Sequence, residues 1–165
     1  MKKILLSIAL STLAVGCSTT NKTSEQYKYT PPTPTPITTN AEVDVPYDLL
    51  LGRAQRWMDE KGFQRDDGQS ATGVITSTVK DYADGLKVMD CGKGGSKVSI
   101  AAPTTKISIM VTQNGDKGIA SINLKGNTSV SYVESNGVSV PAPSITPVCV
   151  SNGQLEANFI SYVNH

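Results

Sequence analysis

The run Lys106-Ile107-Ser108-Ile109-Met110-Val111-Thr112-Gln113-Asn114-Gly115-Asp116-Lys117-Gly118-Ile119-Ala120-Ser121-Ile122-Asn123-Leu124-Lys125 decides the fold. Apolar and polar residues alternate on both sides of Asn114-Gly115-Asp116-Lys117-Gly118, and that insert is made of residues that tolerate turn conformations. The runs Lys106–Gln113 and Ile119–Lys125 are therefore expected to pair as a β-hairpin. The alternation in Ile107, Ile109 and Val111, and in Ile119 and Ser121, gives the hairpin one buried and one wetter face.

Outward from the hairpin, the same period of two predicts strands over Thr72–Lys80, Leu86–Cys91, Lys97–Ala102 and Thr128–Val133. Residues 135–148 hold Pro141, Pro143 and Pro147 and read as an extended loop, because proline cannot donate to a ladder. At both ends the period becomes helical. Tyr47, Leu50, Leu51, Ala54, Trp57 and Met58 form one apolar stripe, with Pro46 suited to the first helical position and Gly62 to a left-handed end. Ser151-Asn152-Gly153-Gln154 has the form of a capping box, and Leu155, Phe159, Tyr162 and Val163 follow at helical spacing. The expectation is an α+β domain over residues 41–165: an N-terminal helix, an antiparallel multi-stranded meander, and a C-terminal helix packed on the same sheet.

The chain opens differently. Lys2 and Lys3 precede an apolar run from Ile4 to Val15, the charge order of a secretory signal and too short to span a bilayer. Leu13-Ala14-Val15-Gly16-Cys17 resembles the lipobox of bacterial lipoproteins. The resemblance implies cleavage after residue 16, a diacylglyceryl thioether on Cys17 and acylation of its new amino group. Ordinary secretory cleavage is the competing reading. Ser18 follows the cysteine, where the family associates aspartate with inner-membrane retention, so a periplasm-facing outer-membrane anchor is expected. Each buried acyl methylene contributes about 0.8 kcal/mol, and three chains would make release negligible.

With Cys17 assigned to lipid, Cys91 and Cys149 remain as an even pair in an oxidising compartment, and a disulfide is expected. Two free thiols with a metal or redox role are the alternative. Loss of Lys2 and Lys3 with the signal takes the net charge from +1 to about −1, which implies no nucleic-acid partner.

Residues 17–40 are Ser/Thr/Asn-rich and end in Thr30-Pro31-Pro32-Thr33-Pro34-Thr35-Pro36. Such a segment reads as a disordered tether with a polyproline II section, holding the domain tens of ångströms from the membrane. Tyr27 and Tyr29 are unusual in a spacer and are candidates for docking into a partner's groove, against incidental composition. Trp57 is read as core, with a ligand or peptide groove as the alternative.

The helix, meander, helix order also resembles the helix-grip domains of the BamC-type lipoprotein of the outer-membrane β-barrel assembly machinery, and Cys149 to Glu156 resembles the C-terminal ends of small lipoproteins. No enzyme chemistry is expected. The one histidine is His165, the last residue, and neither Gly-x-Ser-x-Gly nor His-Glu-x-x-His occurs. Asp66-Asp67-Gly68, Asp81 to Gly85 and Asp90 lack the alternation of a calcium loop and read as turns. Gly92 to Lys97 has two lysines but not P-loop spacing, and reads as a turn too; Glu60 and Glu156 cannot be paired from sequence. No cofactor is implied. The expected function is a non-enzymatic protein-interaction module with an envelope partner, serving assembly, stability or secretion. A periplasmic ligand-binding module for peptidoglycan, a lipid or a small molecule, or a hydrolase inhibitor, is the alternative.

Overall fold

The computed structural model describes residues 25–66, 72–79, 84–142 and 147–165. Its centre is the expected hairpin, longer than the alternation alone marked: β7 runs Thr104–Asn114 and β8 Lys117–Asn127, with only Gly115 and Asp116 in the turn. Ile107, Ile109 and Val111 stand opposite Leu124, Ile122 and Ala120, all buried. Ile119 and Ser121 thus lie on the wetter face of β8, each half-buried.

Against the buried face lie α1 (Tyr47–Glu60) and α3 (Gln154–Val163), which also touch each other. α1 buries Leu50, Ala54, Trp57 and Met58, and α3 buries Leu155, Phe159 and Val163, as the helical spacing requires. Pro46 sits one residue before α1, extended. α1 ends in a double bond pattern, with the Gly62 N–H donating to the Asp59 carbonyl (3.0 Å) and the Phe63 N–H to Met58 (2.9 Å). Gly62 at φ 74° is the left-handed residue this closure needs. Phe63 is thereby returned to the core, where its ring stacks on Trp57 at 6.4 Å, while Phe159 meets Trp57 edge-on at 5.0 Å.

The remaining strands are β1 (Tyr29–Thr30), β2 (Asn40–Val43), β3 (Val74–Val79), β4 (Met89–Asp90), β5 (Lys93–Gly94), β6 (Val98–Ile100), β9 (Val130–Val133), β10 (Ser139–Pro141) and β11 (Val148–Ser151). All pairings are antiparallel. The main sheet has the order β3-β7-β8-β11-β4, with β2 beside β8 ahead of β11; β10-β9-β6 and β1-β5 form two smaller sheets. With both helices on one face of this sheet, the fold is α+β.

Two local expectations change. Leu86–Cys91 is not one strand: a helical turn, α2 (Gly85–Val88), precedes β4. The Asp84 carbonyl takes the N–H groups of Lys87 and Val88 (2.8 and 3.2 Å), and the Asp84 carboxylate pairs with Lys87 at 2.7 Å, so local bonds outweigh β-propensity there. The capping box at Ser151 does not form either. Ser151 ends β11, and the residue before α3 is Gly153 at φ 84°, a left-handed position that leaves Ser151 outside the helix. Asn152 Oδ1 instead accepts the Gln154 N–H at 3.1 Å. Of the proline-rich 135–148 stretch, Pro141 lies in edge strand β10, as its missing N–H requires, and residues 143–146 lie outside the described residues.

Candidate functional site

Cys17 lies outside the described residues, and with it the 17–24 part of the expected tether. Residues 25–40 are laid along the domain as a strap. Tyr29 and Thr30 pair with Gly94 and Lys93. The carbonyls of Lys28 and Gln26 accept the N–H groups of Gly95 and Lys97, each at 2.9 Å. This explains the small residues of the 92–97 turn, where no phosphate cradle is built: a Cβ on Gly95 would meet the Gln26 carbonyl oxygen at 2.6 Å, so only glycine lets the strap backbone lie there.

Both strap tyrosines are used within the chain. The Tyr29 hydroxyl donates to the Cys91 carbonyl at 2.8 Å, and Tyr27 meets the Tyr132 ring edge-on at 5.7 Å. The two tyrosines, read as candidate docking residues against incidental composition, thus make contacts on their own domain, Tyr27 remaining 36% exposed. Prolines 31 to 36 keep the intervening segment extended. Beyond them Ile37 lies over Gly153, where an added Cβ would stand 2.9 Å from Ile37 Cγ2, and the Thr39 carbonyl accepts the Ile122 N–H at 2.8 Å before β2 joins β8.

Burial, and after it the Asp90 carboxylate, raises the Tyr29 pKa above its ordinary 10.0. The protonated form is the one the fold favours. The contribution of this contact is therefore complete below pH 10 and lost as pH rises through the higher folded value. The tyrosinate absorbance that Tyr29→Phe removes from the titration should lie above the range of an exposed tyrosine. At neutral pH, Tyr27→Ala with Tyr29→Ala should free the strap and speed tryptic cutting at Lys28 severalfold. Unchanged cutting would mean that the tyrosines do not hold it.

Cys91 and Cys149 are bonded to each other, both 3% exposed, and the bridge ties β11 to the residue after β4. Trp57 is fully buried and its Nε1–H donates to Asn158 Oδ1 at 3.0 Å, so it belongs to the core and presents no groove surface to a partner. The acidic turns serve local structure. Asp66 accepts the Thr76 hydroxyl at 2.7 Å and Asp90 the Gly92 N–H at 2.8 Å. Asp67, Gly68 and residues 81–83 lie outside the described residues. Among the described residues no three His, Cys, Asp or Glu side chains gather as a metal site would need.

Between strap and sheet lies a cavity of about 420 Å³, walled by Pro34 and Ile37 of the strap, Leu124 of β8, Val148 and Val150 of β11, and Glu156 of α3. Glu156 is 1% exposed, and its Oε2 accepts the Ser151 hydroxyl at 2.7 Å. Its place in the first turn of α3 suits a carboxylate. Glu60 lines a different cavity and accepts the Tyr162 hydroxyl at 2.8 Å, a bond that is the main reason the Tyr162 pKa is raised. The two glutamates form no pair. His165 lies with Arg53, Arg56 and Tyr162 at a further cavity of about 540 Å³, where Arg53 Nη1 donates to the Val163 carbonyl at 2.6 Å.

The burial of Glu156 has no signal in the sequence, because a glutamate between Leu155 and Phe159 looks like the wet side of an amphipathic helix. No protein-family model matches the chain, and no curated protein does.

Proposed function

We propose that the chain is an outer-membrane-anchored lipoprotein, facing the periplasm, whose domain is a non-enzymatic protein-interaction module in envelope assembly, stability or secretion. The observation that carries this reading is the strap: sixteen residues, 25–40, fold onto the domain and build one wall of an open cavity. The lipobox resemblance at Cys17 supports the anchor, and the disulfide fits an oxidising compartment. An anchor at Cys17 would hold residue 25 within roughly 25 Å of the lipid, the reach of eight residues at full extension.

The cavity volume also favours a second reading, a module for a small ligand, because pockets for such ligands begin at roughly 300 Å³. One experiment separates anchor from fold. Cys17→Ser should move the protein from the membrane to the soluble periplasmic fraction and abolish in-cell crosslinking to its partner, with the domain still folded. A variant that kept its crosslinked partner from the soluble fraction would make anchoring incidental.

A further inference from the structure

The cavity of about 540 Å³ between α1 and α3 is lined by Arg53, Arg56, Asn158, Ser161, Tyr162 and His165, none of them an acid. Arg53 and Arg56 stand three residues apart on α1, where side chains are neighbours, about 5–6 Å apart at Cβ, and like charges cost stability. The acids that would answer Arg56 on a helix are those one turn on, Asp59 and Glu60. Both are engaged elsewhere: Asp59 holds Arg65 by two bonds, at 3.0 and 3.2 Å, and Glu60 accepts the Tyr162 hydroxyl at 2.8 Å. Among the described residues no carboxylate lies within ion-pair distance of Arg53 or Arg56. Arg56 is nonetheless close enough to Tyr162 to oppose the rise that Glu60 causes in its pKa, which places the charge at this cavity.

α3 adds donors to the same lining. Asn158 Oδ1 is taken by the Trp57 Nε1–H, which sets the amide and leaves its Nδ2 donors over. Among the described residues neither Asn158 Nδ2 nor the Ser161 hydroxyl has a partner. Two carbonyls at the end of α3, which would repel an anion, are taken up: Arg53 Nη1 donates to Val163 at 2.6 Å and Asn164 Nδ2 to Ile160 at 2.8 Å. Arg53 keeps its other N–H groups for a ligand. Donors thus come from both helices, two planar forks from α1 and an amide and a hydroxyl from α3. A planar carboxylate is satisfied by one fork in its own plane, whereas the oxygens of a phosphate point in several directions and accept from both sides.

We propose that this cavity binds a phosphate group, held by the guanidiniums of Arg53 and Arg56 from α1 and by Asn158 Nδ2 and the Ser161 hydroxyl from α3. Its lining shares no residue with the cavity under the strap. The site therefore goes beyond the reading of the domain as an interaction module and stands or falls apart from it.

The test uses the full chain in a neutral maltoside detergent, titrated by NMR at constant ionic strength with three probes: inorganic phosphate, glycerophosphoglycerol as a water-soluble phosphodiester headgroup, and a capped Glu-Glu dipeptide. Phosphate should shift the Nε–H signals of Arg53 and Arg56 and the side-chain amide of Asn158, and bind about tenfold tighter than the dipeptide, whose carboxylates are planar. Arg56→Gln should weaken phosphate binding about tenfold with the fold intact, since Arg56 is exposed. Arg56→Lys should restore only part of the loss, because an ammonium lacks the fork. Of the two phosphates, the tighter names the source, the diester a lipid headgroup and the inorganic ion a soluble phosphate, and either upholds the site. Equal binding of phosphate and dipeptide overturns it in favour of an acidic protein segment. Shifts at Arg53 and Arg56 no larger than at the exposed Lys125, or unchanged affinity in Arg56→Gln, would show diffuse charge screening and overturn it as well. The comparison among probes uses the unaltered protein and decides the matter without the variants.

Discussion

Trp57→Ala lowers the unfolding free energy by about 3–5 kcal/mol in urea denaturation followed by far-UV circular dichroism. Trp57 joins several parts of the core. Its indole is fully buried on α1, stacks on Phe63 just after that helix, meets Phe159 of α3 edge-on, and donates to Asn158. Alanine removes the ring contacts, leaves a cavity between the two helices and the sheet, and gives up the bond to Asn158, whose exposed oxygen turns to water. A small domain has about 5–15 kcal/mol in all, so the variant should be close to unfolding at body temperature. Trp57→Phe should retain most of the packing and lose about 1–2 kcal/mol, since it gives up the hydrogen bond and part of the ring area. A loss under about 1 kcal/mol for the alanine variant would show that the helices close over the gap.

Cys149→Ala is the second large loss. The bridge to Cys91 closes a separation of 58 residues, which on the chain-entropy account contributes about 4 kcal/mol by restricting the unfolded chain. The effect should have a place as well as a size. Cys91 gives its carbonyl to the Tyr29 hydroxyl, and the bridge holds β11 next to β4, so strap and cavity should loosen before the central hairpin does. Hydrogen exchange should then rise first in residues 25–40 and 148–151, with β7 and β8 still protected. The same urea midpoint with and without reductant would show that the bridge adds nothing to stability.

The hairpin was legible because both of its determinants are local: alternation within Lys106–Gln113 and Ile119–Lys125, and Gly115-Asp116 at the turn. The two amphipathic helices were legible for the same reason. α2 was misread as strand because Leu86, Val88 and Met89 have the residue types of a strand, whereas the outcome turned on bonds from Asp84. Ser151 was misread as a cap because the four-residue pattern is also compatible with a strand end followed by left-handed Gly153. At the candidate site, Tyr27 and Tyr29 stood out by composition, yet their acceptor surfaces, Tyr132 and the Cys91 carbonyl, belong to segments far along the chain.

The sequence by itself determined the α+β class, the central hairpin, the helix faces, the pairing of Cys91 with Cys149 once Cys17 was set aside, and the resemblance at Cys17 that makes an anchored protein the expectation. Each depends on residue types within a few positions or on a count. Only the tertiary structure decided that the domain takes in residues 25–40, that Trp57 is fully buried, and that Glu156 lies covered at a cavity between strap and sheet. These depend on surfaces that do not exist until distant segments meet. A strap can bond only to a turn already presented by the fold, and a carboxylate on a helix is buried or wet according to what crosses above it.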